Sequence, residues 1–263
     1  MLSRVSAIEF NRPVSSGKSE PSIITCERED SSPVEVIAKF SGFCERGVTS
    51  LAMEGIAACL AADLGLPVSE PLLVEVTPEW ISLISNSERR RKIEASSRTA
   101  FGSRLMTGQF ALWNTGTKLT QAMVPAAAAI LAFDGIIQNP DRRVANPNCF
   151  VRGDDIRIFD HELAFSHRLV LQWQPPWKPG GLSDLEKPGF HIFRNGLRQR
   201  DIDFNAIRDA WSGLSDAQIA RYGSSLPAEW EAAQHDVEAA LTLIRDARNN
   251  IDECIVEIQR VLK

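Results

Sequence analysis

Short runs of apolar residues alternate with polar turns in the N-terminal third of the chain, and this pattern is typical of β-strands. The runs VSAIEF, SIITCE and VEVIAKF place β-branched residues at alternating positions and predict three strands within the first 40 residues. A helical pattern follows in TSLAMEGIAACLAADLGLP, and PLLVEV (71–76) predicts a fourth strand. The order β-β-β-α-β is therefore expected up to about residue 78.

From about residue 79 the apolar spacing becomes mainly helical. SERRRKIEASS predicts a helix or an exposed linker, TAFGSRLM a further strand, and TQAMVPAAAAILAFDGIIQN a buried helix. NCFVRG and DIRIFD predict two short strands, and the Pro-, Gly- and Trp-rich residues 165–195 predict a long irregular loop. Apolar residues at helical spacing predict a last helix from Pro227 to the end of the chain, and we interpret this stripe as core packing rather than as a partner interface.

The composition is that of an ordinary globular protein. Of 263 residues, 44% are hydrophobic and 24% are charged, which excludes wholesale disorder and fibrous structure. The length suits one large domain or two lobes that share a cleft. The net charge of −5 disfavours a dedicated nucleic-acid binder, and the longest apolar stretch, which contains Pro125 and Asp134, is too interrupted to span a bilayer. Five scattered cysteines without a CxxC pair predict reduced thiols and a cytoplasmic protein.

Three polar residues near the middle of the chain form the most informative pattern. Asp141 follows the predicted buried helix, Asn146 comes five residues later, and Asp160 ends the predicted strand pair. Carboxylate and carboxamide oxygens suit Mg²⁺, and kinases carry in this order an Asp that accepts a proton, an Asn five residues on and an Asp after a strand. Each residue alone is more typical of a polar turn or an exposed surface than of a site. The order and spacing together predict a magnesium-nucleotide site.

A lysine inside an apolar strand is the second candidate site residue. Lys39 lies in VEVIAKF, and Ile37 and Lys39 share one face of that strand. The helix that follows carries Glu54, fifteen residues on, as the only acid in LAMEGIAACLAA. A strand lysine paired with a helix glutamate is how a kinase orients the ammonium that binds phosphate. The alternatives are a lysine that protects an edge strand and a solvated helix glutamate.

The segment SSGKSEP (15–21) lies between the first two predicted strands, where a loop that covers phosphate groups would sit. Its backbone N–H groups, its serine hydroxyls and Lys18 are suited to contact phosphate oxygens. The segment has one glycine, so the motif is weak by itself. The sequence contains neither a Walker P-loop nor a Rossmann fingerprint, which removes the two other common nucleotide-site motifs.

Taken together, these motifs resemble the HipA-like kinases, in particular the compact HipA-related branch of bacteria. The matching elements are SSGKSEP, VIAKF, LAMEGIAACLAADLGLPVSEP, FDGIIQNPDRRVANPN and IFDHELAF, within about residues 8–165. The DRRVAN and FDHE segments are also similar to the catalytic and metal loops of phosphatidylinositol kinases. The resemblance implies an α+β, two-lobed protein-kinase-like fold with ATP in the cleft. Its small β-rich N-lobe (1–110) would hold an antiparallel sheet plus one helix, and its larger C-lobe (111–263) would be helical.

The resemblance also implies residue roles and two ligands, ATP and Mg²⁺. Asp141 matches the catalytic aspartate, and Asn146 and Asp160 match the magnesium ligands. The residues that match ATP-binding positions are Ser16, Gly17, Lys18, Ser19, Ile37, Lys39 and Glu54. The chain departs from the wider kinase pattern in carrying DHE in place of DFG, and Arg143 where lipid kinases usually have histidine.

HipA-like toxins phosphorylate serine in proteins, so the expected activity is γ-phosphate transfer to a serine or threonine of a protein substrate. One alternative is a pseudokinase or nucleotide-sensing module that docks a partner protein through residues 165–193 or the C-terminal helix. Another is a kinase of a small molecule or a nucleic-acid end. The arginines at 89–91 suit an anionic substrate, although we interpret them as a solvated helix face. Residues 165–193 are expected to occupy the activation-segment position as a packed loop, and we expect no membrane partner.

Overall fold

The fold is mixed α+β, as the sequence predicts. The structure is a computed structural model that describes residues 2–15 and 17–263, so Ser16, a predicted ATP-binding residue, lies outside the described residues. The N-terminal part contains a closed barrel of five strands, and the rest of the chain contains a three-stranded sheet and most of the helices.

The barrel is built from the strands predicted in the first part of the chain. They are β1 (Ser3–Pro13), β2 (Ser22–Glu27), β3 (Pro33–Lys39), β4 (Pro71–Glu75) and β5 (Thr99–Arg104). Their order is β1-β2-β3-β5-β4, and β1 closes the barrel by pairing in parallel with β4. The expected antiparallel sheet is therefore wrong for this pair. Helix α1 (Val48–Asp63) returns the chain after β3, so β4 runs in the direction of β1, as parallel pairing requires.

Alternation along β3 decides which side chains leave the barrel. Val36 and Ala38 are fully buried in the barrel core, while Ile37 and Lys39 lie on the opposite face. Gly102 of β5 pairs with Ala38, and an added Cβ there would lie 2.5 Å from Cγ1 of Val36. The interior is therefore filled by small and branched residues, and the one lysine of β3 points out of it.

Helix α1 is buried almost all round. Its residues from Thr49 to Ala61 are all buried. The helix packs against β4 and β5 of the barrel on one side and against two helices near the C terminus on the other. A helix that is apolar on every face is a core element, so Glu54 within it needs a charged partner.

The remaining helices are α2 (Pro78–Ser82), α3 (Ser87–Glu94), α4 (Val124–Ile136), α5 (Arg194–Leu197), α6 (Phe204–Ser212), α7 (Asp216–Ser224), α8 (Gln234–Asn249) and α9 (Ile251–Leu262). The second sheet contains β6 (Ala111–Leu112), β7 (Cys149–Arg152) and β8 (Asp155–Ile158), in that order. The backbone N–H of Ile158 donates to the carbonyl of Pro67 at 2.9 Å. This hydrogen bond joins the turn after α1 to the strand that precedes Asp160.

The predicted single helix from Pro227 to the C terminus is wrong. A 3-10 segment (Ala228–Ala233) precedes two separate helices, α8 and α9. The break lies at Asn250, whose side chain donates to the carbonyl of Asp246 at 2.7 Å. Asparagine side chains compete in this way with helical backbone hydrogen bonds. The apolar stripe itself lies in the core, as predicted, so it is not available to dock a partner.

Residues 165–193 form a packed loop, as predicted. Both Trp173 and Trp177 pack against the helical core, and Nε1 of Trp173 donates to Oε1 of Gln138 at 2.9 Å. The apolar side chains of residues 169–171 are exceptions, since Leu171 is 94% exposed. The loop is therefore fixed at its aromatic residues and open at one apolar tip.

Two further observations concern the described residues as a whole. Among the helices of residues 2–15 and 17–263, none combines the length and apolarity needed to cross a bilayer. All five cysteines lie in these ranges and are free. Burial raises the pKa of the Cys26 thiol to about 12, which keeps it protonated.

Candidate active site

The ammonium of Lys39 lies at the centre of a largely buried group of charges. We call it the Lys39 cluster: Lys39, Glu54, Asp160 and Glu162. The Nζ atom lies 2.8 Å from Oε2 of Glu54, 2.6 Å from Oδ1 of Asp160 and 3.1 Å from Oε2 of Glu162. Lys39 is 8% exposed and Glu54 is 3% exposed. The structure thus brings together three residues that the sequence singled out, from β3, α1 and the turn after β8, and adds Glu162.

The innermost pair of this cluster is charged on both sides. Burial works to lower the pKa of Lys39, but the three carboxylates raise it well above its ordinary value. Burial works to raise the pKa of Glu54, but Lys39 and a hydrogen bond from His161 hold it well below its usual range. The backbone N–H of His161 donates to Oε1 of Glu54 at 2.8 Å. Both oxygens of this buried carboxylate therefore have partners.

The outer part of the cluster carries surplus negative charge. Asp160 adopts a left-handed φ of 60°, which aspartate tolerates better than most residues. Burial raises the pKa of Glu162, and the attraction of Lys39 only partly offsets that effect. Oxygens of Glu54, Asp160 and Glu162 lie within 4.8 Å of one another, and the Asp160 side chain is 24% exposed. Three carboxylates share one ammonium, so the cluster has negative charge to offer a second cation.

Asp141 lies in the loop between α4 and β7, where two side-chain amides orient it. Nδ2 of Asn146 donates to Oδ2 of Asp141 at 2.8 Å, and Nδ2 of Asn148 donates to the same oxygen at 3.1 Å. Arg143 and Asn146 exchange two backbone hydrogen bonds of 3.0 Å, which close the loop into a tight turn. Within the described residues, no donor reaches Oδ1 of Asp141. That oxygen is therefore free to accept a proton.

A second buried cluster lies behind this loop. We call it the Asp134 cluster: Asp134, Asn139, Arg142 and His191. Nε of Arg142 lies 2.6 Å from Oδ2 of Asp134 in α4, and neither side chain is exposed. Nη1 of Arg142 donates to the carbonyls of Asn148 and Phe159, the second at 3.3 Å. One guanidinium therefore ties the loop after α4 to the residue that precedes Asp160.

The predicted phosphate loop lies at the same end of the barrel as Lys39, because the start of β2 pairs with the end of β3. Gly17 has a φ of 109°, and Gly17 and Lys18 are exposed. Ser19 is 4% exposed, so its hydroxyl is turned away from solvent. The described part of the loop thus offers backbone groups and one lysine on its open side.

The arginine run at 89–91 is only partly the solvated face that we interpreted it to be. Arg91 is exposed, but Nη1 of Arg89 donates to the carbonyl of Glu20 at 3.0 Å, and its Nη2 lies 3.2 Å from the Glu20 carboxylate. Lys92 lies 3.2 Å from the same carboxylate, and both cations stack on the ring of Phe43. Helix α3 therefore fastens the end of the phosphate loop.

Sequence reasoning missed six residues of these two clusters and their surroundings: Asp134, Asn139, Arg142, Asn148, Glu162 and His191. Asp134 had a usable signal, since it is the only charged residue in the apolar helix VPAAAAILAFDGI, as Glu54 is the only charged residue in the apolar run LAMEGIAACLAA. Arg142 had none, because its neighbour Arg143 is identical in sequence and yet exposed. Only the fold distinguishes these two arginines.

A groove of about 820 Å³ lies elsewhere, between the turn after α1 and the starts of α4 and α6. Its walls are mostly apolar, from Leu66, Val124 and Ile207 among others, and it contains no member of either charge cluster. We place the candidate active site at the Lys39 cluster and Asp141, because convergent titratable groups indicate chemistry more directly than volume does.

Comparison with known proteins agrees with the mixed α+β fold. The family model described as HipA-like kinase matches residues 7–257. The crystal structure of the Helicobacter pylori proinflammatory kinase CtkA is similar over 99% of this chain and 99% of that chain, with a TM-score of 0.54 and 12% identity, which shows a shared fold alone. The complete CtTel1 dimer matches 92% of this chain and 11% of that chain at 12% identity, and its TM-score of 0.33 is too low to indicate a shared fold. No curated protein matches the chain significantly.

Proposed function

We propose that this chain, which belongs to the HipA-like kinase family, transfers the γ-phosphate of Mg-ATP to the hydroxyl of a protein serine or threonine. The observation that carries the proposal is the meeting of Glu54 and Asp160 on the ammonium of Lys39, at 2.8 and 2.6 Å. A strand lysine, a helix glutamate and an aspartate that follows a strand are the groups that bind and orient nucleotide phosphates in kinases.

We assign residues 1–110 to an N-lobe and residues 111–263 to a C-lobe, with ATP between them. The position of the elements supports this division, since the last barrel strand ends at Arg104 and the second sheet begins at Ala111. In this arrangement Lys39 and the phosphate loop come from the N-lobe, and Asp141 and Asp160 come from the C-lobe. The N-lobe helix α1 packs on C-lobe helices, which would hold Glu54 in place.

The ATP phosphates would contact Lys39 and the open side of the phosphate loop, and the buried Ser19 would not contact them. The exposed Gly17 and Lys18 suit contact with phosphate oxygens, through a backbone N–H and an ammonium respectively. Ile37 lies on the same face of β3 as Lys39 and would line the nucleotide site. Glu54 would act through Lys39, which it orients, rather than on the nucleotide itself.

The donor set fits a magnesium ion. Mg²⁺ prefers hard oxygen ligands and is usually held by one or two carboxylates together with substrate phosphates. Asp160 and Asn146 would hold it, and Glu162 extends the set, because its carboxylate lies in the same group of oxygens as Asp160. When bound, the ion would neutralise charge on the transferring phosphoryl group.

Asp141 would act as the base for the acceptor hydroxyl. The hydroxyl oxygen forms a bond to the γ-phosphorus while the bond from that phosphorus to the β–γ bridging oxygen breaks, and ADP leaves. The proton passes from the hydroxyl to the Asp141 carboxylate. Both amide donors address Oδ2, which fixes the carboxylate and leaves Oδ1 for the hydroxyl. Lys39 would hold the remaining phosphates in line.

Transfer from γ-labelled ATP to the protein itself or to a generic protein acceptor tests this function. We expect label transfer by the wild type with Mg²⁺, a loss on the order of 10²–10⁴-fold in Asp141→Asn, and ATP binding within about threefold of wild type. Asp154→Asn is the matched control, because Asp154 is an exposed acid on the β7–β8 turn. A wild type that transfers no phosphate with Mg²⁺ or Mn²⁺ contradicts the proposal, and tight ATP binding without turnover would support the alternative, a nucleotide-sensing module.

A further inference from the structure

The end of the loop that follows Asp160 is fastened to the loop that carries Asp141. The backbone N–H of Ile192 donates to the carbonyl of Arg142 at 3.2 Å, and the N–H of Val144 donates to the carbonyl of Gly189 at 3.0 Å. We call residues 187–193 the anchor segment. It lies against the loop before β7 through two backbone hydrogen bonds that run in opposite directions.

A buried histidine joins the anchor segment to Asp134 of α4. Nε2 of His191 lies 3.1 Å from Oδ2 of Asp134, and its Nδ1 accepts the backbone N–H of Phe193 at 3.2 Å. Because Nδ1 accepts, Nε2 carries the proton and donates to the carboxylate. His191 is 5% exposed, so this hydrogen bond is shielded from water. The ring is therefore fixed at both nitrogens.

The Asp134 carboxylate accepts hydrogen bonds from three side chains. Nε and Nη2 of Arg142 lie 2.6 and 3.3 Å from its oxygens, Nδ2 of Asn139 donates at 2.7 Å, and His191 completes the set. Burial works to raise the pKa of Asp134, but Arg142 and His191 hold it well below its usual range. Each oxygen of the Asp134 carboxylate therefore accepts two hydrogen bonds.

Two further hydrogen bonds connect the Asp134 cluster to the backbone at or next to Asp141 and Asp160. Oδ1 of Asn139 accepts the backbone N–H of Asp141 at 3.2 Å. Nη1 of Arg142 donates to the carbonyl of Phe159, the residue before Asp160. The Asp134 cluster therefore holds the backbone at Asp141 through the Asn139 amide, and the backbone next to Asp160 through the Arg142 guanidinium.

We propose that His191 is a positioning residue, which transmits the placement of the anchor segment through Asp134 and Arg142 to Asp141 and Asp160. The naming of those two aspartates rests on the proposed function. An anchor segment that lifts away would remove one donor from Asp134 and free the Asp141 loop to shift. Since misplacement of about 1 Å costs on the order of 10²-fold in rate, such a residue acts on turnover more than on ATP binding.

Three variants separate positioning from general stability. His191→Leu removes the donor to Asp134 and should lower kcat roughly 10- to 100-fold while the KM for ATP changes less than about threefold. His191→Gln keeps an N–H donor at the same reach and should restore most of kcat. His167→Leu is the matched control, since His167 is a second buried histidine of the same loop that packs on Trp173 rather than on Asp134. It should leave kcat nearly unchanged.

Any one of three results overturns the proposal: an unchanged kcat in His191→Leu, an equal loss in His191→Gln, or an equal loss in His167→Leu. If His191→Leu does not fold, Arg142→Lys replaces it, because lysine keeps the charge but lacks the fork that reaches the Phe159 carbonyl. That variant should then show the same selective loss of kcat, and an unchanged kcat overturns the proposal.

Hydrogen exchange of the folded protein keeps this test separate from the proposed function. In the absence of nucleotide, His191→Leu should speed amide exchange in residues 139–148, and His191→Gln should not. A wild type without kinase activity that still shows this difference would disprove the proposed function and support the positioning role. Equal exchange in all variants overturns the positioning role, whatever the activity.

Discussion

The Lys39 cluster and the Asp134 cluster are both built on a buried ion pair, yet they differ in their net charge and in their exposure to solvent. In the Lys39 cluster one ammonium faces three carboxylates, and two of those side chains, Asp160 and Glu162, are 24% and 16% exposed. In the Asp134 cluster one carboxylate faces one guanidinium and a histidine, and none of these three side chains is more than 1% exposed.

This difference separates a site for chemistry from a structural support. Burying a charge is costly unless it is paired, and the closed Asp134 cluster meets that requirement with charges of its own. The Lys39 cluster leaves a surplus of two negative charges near solvent. Partial exposure of Asp160 and Glu162 lets water stabilise some of this surplus charge, which suits a ligand that brings positive charge. The next three experiments test this contrast.

The largest expected effect comes from Lys39→Met. Loss of the ammonium removes the group that would hold the ATP phosphates, so phosphoryl transfer should fall roughly 10²–10³-fold. It also leaves the Glu54 carboxylate buried without its cation, which should lower the free energy of unfolding by about 3–5 kcal/mol. Label transfer and urea unfolding measure the two effects on the same preparation.

The double variant Lys39→Met/Glu54→Gln separates these effects. Removing both charges should recover most of the lost stability, because Glu54 is the least exposed of the three carboxylates, and Asp160 and Glu162 lie closer to solvent. It should not recover transfer. Recovery of transfer along with stability would contradict a direct role for Lys39, and it would show that the single variant merely misfolds.

The second expected effect is on stability and comes from Asp134→Asn. The loss of the carboxylate charge leaves Arg142 buried and unpaired, which should cost about 3–5 kcal/mol at pH 7. A depressed carboxyl pKa stabilises the folded state above the ordinary value near 4 and loses that contribution as the pH falls through the folded value. The difference in the free energy of unfolding between wild type and Asp134→Asn should therefore become smaller below about pH 4.

Unfolding curves at pH 7 and at pH 3 check this prediction. The exposed pair of Arg208 and Asp252 serves as the control, and Asp252→Asn should change stability by less than about 1 kcal/mol at either pH. A cost for Asp134→Asn that is equally small, or that grows toward acid pH, would contradict the description of this cluster as a buried, charged support.

The smallest expected effect on stability has the opposite sign. Because burial raises the pKa of Glu162, its charged form weakens the folded state at neutral pH. Glu162→Gln should therefore leave the stability at pH 7 unchanged or slightly higher, and any gain should vanish below the ordinary glutamate pKa of about 4.3. The Mg²⁺ concentration needed for half-maximal transfer should rise about tenfold. A marked loss of stability at pH 7 would place Glu162 among the structural charges instead.

The contact between Lys39 and Glu54 could be predicted from the sequence because each is the only charged residue in an apolar run, VIAK in β3 and LAMEGIAACLAA in α1. A charged residue within a buried strand or helix needs a partner of opposite charge, and Lys39 and Glu54 were the obvious candidates for each other. The order of these strands along the chain followed from alternation and turns. What alternation could not show was the parallel pairing of β1 and β4, because it depends on how the chain returns through α1.

Other parts of the site depend on contacts between residues far apart in the chain. His191 lies in a Pro- and Gly-rich segment with no period, so nothing local indicates that it reaches Asp134, 57 positions earlier. The break at Asn250 escaped notice because the apolar spacing continues across it. Ser16 lies outside the described residues, so its predicted contact with ATP stays a prediction.

The affinity of the wild-type protein for ATP, measured with Mg²⁺ and again with a chelator, tests the central claim most directly. The surplus negative charge of the Lys39 cluster should repel the ATP phosphates unless a divalent cation lies between them. We predict a Kd at least about tenfold lower with Mg²⁺ than without it. An equal or tighter Kd in the chelator would contradict the assignment of Asp160 and its neighbours to a metal-nucleotide site.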